Sequence, residues 1–128
     1  MLSPGCADLL GPKVIRAGSG AHFHLPVETA SRWEDVTRLL DGHGALEQVL
    51  LMDAAGHVAY DAADFSRRTT LIIGNEAHGA SPQAARLATE HISIPMWNLV
   101  ESLNAAIAAS VVLFEAARQR RMSAETTE

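Results

Sequence analysis

Apolar residues in this chain gather into short unbroken runs, set apart by polar, glycine-rich or proline-bearing stretches. Residues 48–53 (Gln-Val-Leu-Leu-Met-Asp) and 69–74 (Thr-Thr-Leu-Ile-Ile-Gly) are of strand length and do not alternate, as expected for strands covered on both faces in a parallel sheet. Residues 91–95 read as a third strand ended by Pro95, and 23–27 as a short one that Pro26 ends or places at an edge. Between them lie helix signals. Gly11-Pro12 opens a short helix through Ala17, and Ser31 with Glu34 forms a capping box before the stripe Trp33, Val36, Leu39 and Leu40. Ser81-Pro82 starts another helix running to about Thr89, and Ser102 starts a long one reaching about Arg118. Strand and helix alternate throughout, which predicts an α/β fold built on a parallel sheet.

On the last helix Leu103, Ile107, Val111 and Phe114 recur at three or four residues and share one face, while Ala106, Ala109, Val112 and Leu113 leave little of the remainder polar. A helix apolar on nearly all sides needs cover from the sheet and from something else, and a second subunit is the economical source. Beyond Arg121 the periodicity stops. Residues 122–128 therefore read as a flexible tail behind one domain over 1–121, a size with room for its own core.

Composition alters this picture little. Of 128 residues 48% are hydrophobic and 20% charged, as in an ordinary soluble globular protein. The start resembles no secretion signal, and the longest apolar stretch, 103–117, carries Asn104, Ser110 and Glu115 and is short for a bilayer. Cys6, the one cysteine, forms no internal disulfide, and no Cys or His spacing suits zinc, so a cytoplasmic chain with no metal and no membrane segment is expected. The net charge of −5 argues against a chain that grips a phosphate backbone unaided. Acid is concentrated in the middle, and bases such as Lys13, Arg16, Arg118, Arg120 and Arg121 lie towards the ends, the better candidates for touching nucleic acid.

Two segments carry chemistry. Gly74-Asn75-Glu76-Ala77-His78-Gly79 leaves a strand, and ligands of open α/β sheets bind at the carboxyl ends of strands. Alone this is a weak motif, equally readable as a tight turn, and it matches neither a dinucleotide fingerprint nor a P-loop. Residues 94–104 again leave a strand and enter a helix, placing Glu101, Ser102 and Asn104 at a helix start where free N–H groups favour an anion. The plainer reading makes Ser102 a helix cap. Neither segment pairs a nucleophile with a base, and the six histidines are scattered, so hydrolase chemistry is poorly supported.

Taken together, the segments resemble the SpoU/TrmH branch of the SPOUT RNA methyltransferases. The family's second motif is matched by Leu71-Ile72-Ile73-Gly74-Asn75-Glu76-Ala77-His78-Gly79-Ala80-Ser81-Pro82, and its third by Ile94-Pro95-Met96 followed by Val100-Glu101-Ser102-Leu103-Asn104 and the helix beyond. The opening, Ser3-Pro4-Gly5 through Phe23, is similar to the stretch between the family's first motif and its central strands. The resemblance implies a three-layer parallel sheet with a C-terminal deep trefoil knot, an exception to the rule that chains do not thread loops. It implies S-adenosylmethionine held at Gly74, Asn75, Glu76, Ile94, Met96 and Leu103, methyl transfer to a ribose 2'-hydroxyl of tRNA or rRNA, and a homodimer packed through the terminal helix.

The same resemblance assigns Glu76, Ser102 and Asn104 to the catalytic site, with Glu76 and Asn104 orienting rather than abstracting a proton. In the family an arginine and an asparagine of the first motif attend the hydroxyl. That motif, Asn-x-Gly…Arg-Thr-Ala, would precede Ser3, so the chain is expected to be an N-terminally truncated member, and Arg16 is not the arginine's equivalent. Two readings follow: a ribose methyltransferase, or a catalytically inactive relative serving as a dimeric binding or scaffold module.

Overall fold

Val49, Leu50 and Leu51 are each almost wholly buried, which is what an unbroken apolar run requires of its surroundings. In the computed structural model, which describes residues 1–97 and 103–125, they form β1 (Val49–Met52). β2 (Val58–Ala59), β3 (Thr70–Ile72) and β4 (Glu90–Ser93) complete a four-stranded sheet in the order β2-β4-β1-β3. All pairings are parallel, with Leu50 opposite Leu71 on one side and opposite Glu90 on the other. The chain therefore has the α/β parallel-sheet architecture expected. β2 was not expected; two residues carry too little periodicity to show in sequence.

By contacts the chain divides into two units, Met1–His43 and Gly44–Glu128. The first holds α1 (Pro12–Ala17) and α2 (Trp33–Gly42), with Ala30 and Val36 buried. The expected strand at 23–27 is absent: Ala21–Phe23 is a single 3-10 turn, and the extended pairing falls instead between Leu2 and Thr29, where Leu2 N–H donates to Glu28 O and Ala30 N–H to Leu2 O. The capping box is also corrected. Arg32 occupies the N-cap of α2 without a side-chain cap bond, and its guanidinium pairs with Asp35 instead.

The second unit holds the sheet, α3 (Pro82–Leu87) and α4 (Ala105–Glu125). Its core is Leu50, Ala63, Phe65, Ile92 and Val112, with Met52, Tyr60, Leu71 and Ile94 packed around them. Full burial of Leu50, Phe65, Ile92 and Val112 contributes about 1.5–3 kcal/mol each. Polar groups at its edge are matched: Gln48 Nε2 donates to Asp64 O at 2.7 Å, and Thr89 Oγ1 both accepts from Val49 N–H and donates to Val49 O. Ser81 caps α3 as expected, accepting Ala84 N–H at 3.2 Å, but that helix stops at Leu87.

α4 departs from expectation at both ends. It begins at Ala105, not Ser102, and continues past Arg118 to Glu125, so residues 122–125 are helical rather than tail. Its buried side is made of Ala109 and Val112, with Ala116 against the core. Through Val112 and Ala116 the helix joins the core around Leu50 and Ile92. Of the stripe read in sequence, Ile107 and Phe114 are 56% and 77% exposed and face outward, while Val111 is half-buried and Leu103 lies before the helix. Gln119 fastens the helix by accepting Phe65 N–H at 2.8 Å and donating to Ala63 O at 3.0 Å.

Candidate functional site

β3 ends at Ile72, and the chain then makes a small closed loop. Asn75 and Gly79 exchange two backbone hydrogen bonds of 2.8 and 2.7 Å, and Asn75 Oδ1 accepts Ala77 N–H at 2.8 Å. Gly79 sits at φ +67, in the left-handed region. At Gly74 the constraint is space, since an added Cβ would collide with backbone atoms of Gly79 and Ala80. The loop is compact because glycine stands at each end.

Glu76, at its turn, reaches to the start of α4. Its Oε1 accepts Asn104 Nδ2–H at 2.5 Å and Ala105 N–H at 3.3 Å. Asn104 in turn caps the helix, its Oδ1 accepting Ala106 and Ile107 N–H at 3.0 and 3.2 Å. The carboxylate thus satisfies one free N–H of the first helical turn and lies where the helix dipole favours negative charge. Asn104 uses both ends of its amide, and is therefore the cap that sequence assigned to Ser102. Ser102 itself lies outside the described residues.

A cleft of about 640 Å³ opens at the carboxyl ends of β1, β3 and β4, closed on one side by the start of α4. The loop after β3 contributes Gly74, Asn75 and Glu76, the chain after β4 contributes Ile94 and Met96, and the approach to α4 contributes Leu103 and Asn104. Every described residue that sequence reading placed at the site therefore lines one cavity. Its size falls within the range of small-molecule sites, and apolar walls alternate with main-chain groups at the strand ends. Among the described residues no cluster of His, Cys, Asp and Glu could hold a metal ion, and no helix is long and apolar enough to cross a membrane.

Sequence reading missed Asp53, the first residue beyond β1, which also lines the cleft. Its Oδ1 accepts Ala55 N–H at 2.9 Å and its Oδ2 lies 3.0 Å from His91 Nδ1. The Ala55 amide first, and His91 second, hold this carboxyl below the usual range, so it is ionised at neutral pH. The signal was available: Asp53 is the first polar residue past a buried parallel strand, the position from which α/β sheets address ligands.

The SpoU rRNA methylase family matches residues 1–114. Mitochondrial rRNA methyltransferase 3A of Danio rerio is 32% identical over an alignment covering 95% of this chain and 38% of that protein. A 23S rRNA (uridine(2479)-2'-O)-methyltransferase of Streptomyces viridochromogenes is 38% identical, covering 89% of this chain and 41% of the relative. The chain thus spans about two fifths of the length of these curated relatives. Among solved structures, the SpoU methyltransferase AviRb from Streptomyces viridochromogenes, in complex with the cofactor AdoMet, superposes with a TM-score of 0.87 at 33% identity, covering 94% of this chain and 49% of that one. By sequence and by backbone alike, the chain belongs to the SpoU rRNA methylase family.

Proposed function

We propose that this chain binds S-adenosylmethionine in the strand-end cleft and that the protein transfers its methyl group to a ribose 2'-hydroxyl of rRNA or tRNA. The observation that carries the reading is the Glu76–Asn104 hydrogen bond, which closes two segments 28 residues apart in sequence onto one cavity. Relatives from Streptomyces viridochromogenes supply the chemistry: the solved AviRb structure is in complex with AdoMet, and the curated sequence is a uridine 2'-O-methyltransferase of 23S rRNA.

The residues fit such a donor. Met52, Ile73, Ile94 and Leu103 offer apolar walls to a purine, the loop backbone offers N–H and C=O groups, and the Glu76 carboxylate suits a cationic ligand. When bound, S-adenosylmethionine supplies a sulfonium methyl that an alcohol oxygen attacks in line. Glu76 Oε1 is held by Asn104 and the Ala105 amide, and Asn104 by Glu76 and the α4 amides, so the two residues orient the site. Ser102 retains the organising role that the family resemblance assigns it.

The family match crosses the boundary between the two units, which supports one methyltransferase domain over residues 1–121. The three-layer arrangement, the deep trefoil knot, the homodimer and a cytoplasmic location belong to this proposal, as does the choice between tRNA and rRNA. Calorimetric titration with S-adenosylmethionine and with S-adenosylhomocysteine tests it, saturable binding of one molecule per chain being expected. A flat titration of folded protein would overturn the cofactor site and favour a binding or scaffold module. Methyl transfer is checked by incubating RNA with labelled donor and finding the label in 2'-O-methylnucleosides.

A further inference from the structure

We infer that Asp53 is the residue that reads the ribose of the methyl donor, accepting hydrogen bonds from its 2',3'-diol. The inference rests on the cofactor reading above and extends it to a residue outside both family motifs. β1 lies between β4 and β3 in the sheet, so Asp53 stands at the floor of the cleft, between the chain leaving β4 at Ile94 and the chain leaving β3 at Gly74. Among the described lining residues the charged side chains are Asp53 and Glu76. Glu76 is held through its Oε1 at the start of α4, in the loop after the edge strand β3 rather than at the end of the interior strand β1.

Asp53 is differently placed. Its Oδ1 takes one N–H from Ala55 and its Oδ2 one contact from His91, while an ionised carboxylate offers about four lone-pair sites. The side chain is 38% exposed, so the remaining acceptor sites are open. An acceptor-only group with two oxygens suits a vicinal diol, which presents two O–H donors. His91, on β4, and the Ala55 amide, in the turn after β1, fix the carboxylate from two sides, so little ordering remains to be done on binding. Its backbone is fixed too, Asp53 N–H donating to Ile92 O at 2.9 Å. An acid at a strand end that accepts ribose hydroxyls is a recurrent solution in nucleotide-binding α/β sheets.

The test compares S-adenosylhomocysteine with its 2'-deoxy and 3'-deoxy counterparts by calorimetry, on the wild-type chain and on Asp53→Asn. Asp53→Ser is a second variant that keeps an oxygen for the Ala55 amide while withdrawing the second acceptor. The wild type should bind the ribo form about tenfold or more tightly than either deoxy form, because a hydrogen bond to a charged acceptor is lost. Both variants should bind the ribo form more weakly and show little or no preference. A purely structural Asp53 would weaken all three ligands equally and leave the preference intact, which would overturn the inference. So would a wild type indifferent to the hydroxyls, as expected if Asp53 instead faces the donor's positive charge. If the wild type binds none of the three, the cofactor site itself falls, a result separable from either of these.

Discussion

Asn104 donates to Glu76 across 2.5 Å while its own carbonyl oxygen caps α4, so one side chain joins the loop after β3 to the first turn of the last helix. Asn104→Ala removes both functions. Loss of an N-cap costs about 0.5–2 kcal/mol, to be read from urea denaturation of the chain. Glu76→Ala removes the carboxylate that answers both Asn104 and Ala105. Because the two residues form one unit, the double variant should lose less affinity for S-adenosylhomocysteine than the two single losses added together. Coupling in direct contacts is typically about 0.5–3 kcal/mol, and additive losses would show that the pair does not shape the cleft.

Gly74→Ala should be the most damaging single methyl group in the site. The new Cβ meets main-chain atoms of Gly79 and Ala80, which cannot swing aside as a side chain could. The loop must open, and affinity for S-adenosylhomocysteine should fall about tenfold or more, the equivalent of about 1.4 kcal/mol. Gly79→Ala meets no neighbour but must hold φ +67, a strain of about 1–2 kcal/mol for a residue with a side chain. Calorimetry on the two variants should show Gly74→Ala the weaker binder, and the reverse order would contradict this account of the loop.

β1 was legible because near-complete burial leaves a plain trace, a run of Val and Leu with no alternation, and β3 because the apolar run Leu71-Ile72-Ile73 is continuous; β4, with Ile92 alone buried, was legible from its short length before Pro95. The same logic failed for Phe23 to Val27, where a 3-10 turn ending at Phe23 is followed by mostly exposed chain, Phe23 itself being 83% exposed. For α4 the sequence left open which side meets the core. Periodicity identifies residues that share a face, but not which face meets the core; here the side with Ala109 and Val112 does. The motif residues Gly74, Glu76, Ile94 and Asn104 were legible through resemblance. Asp53 was hidden because its neighbours in chemistry, His91 and Ala55, are brought to it by strand pairing and a turn rather than by any motif.

Acid should loosen the attachment of α4. Glu115 accepts from Arg118 Nη2 at 2.7 Å and from Gln119 Nε2 at 2.8 Å, and these bonds lower its pKa to about 2, Arg118 contributing most. A carboxyl whose pKa is lower in the folded chain stabilises the fold above its unfolded value. That contribution is lost as pH falls from the ordinary carboxylate range towards about 2. Gln119 is also the residue that holds Phe65 and Ala63, so the loss reaches the core-facing side of the helix. Thermal midpoints followed through this range should fall for the wild type and fall less steeply for Glu115→Gln. Parallel curves would mean that the Glu115 contacts contribute nothing in solution.

The proposed homodimer would pack through the outer side of α4. Ile107 and Phe114 lie two helical turns apart on the side opposite Val112, and both are more than half exposed, an arrangement that costs free energy in water unless a partner covers it. A second copy of the same helix offers a self-complementary surface of this kind, since a two-fold interface sets each patch against itself. Sedimentation of the chain should therefore report a dimer, and Ile107→Glu combined with Phe114→Glu should shift it to monomer by placing charge at the centre of the contact. The two positions are solvent-facing in the single chain, so circular dichroism should change little. A wild-type chain that sediments as a monomer at high concentration would remove the helix from the list of interfaces, and would leave the stripe free for a different partner.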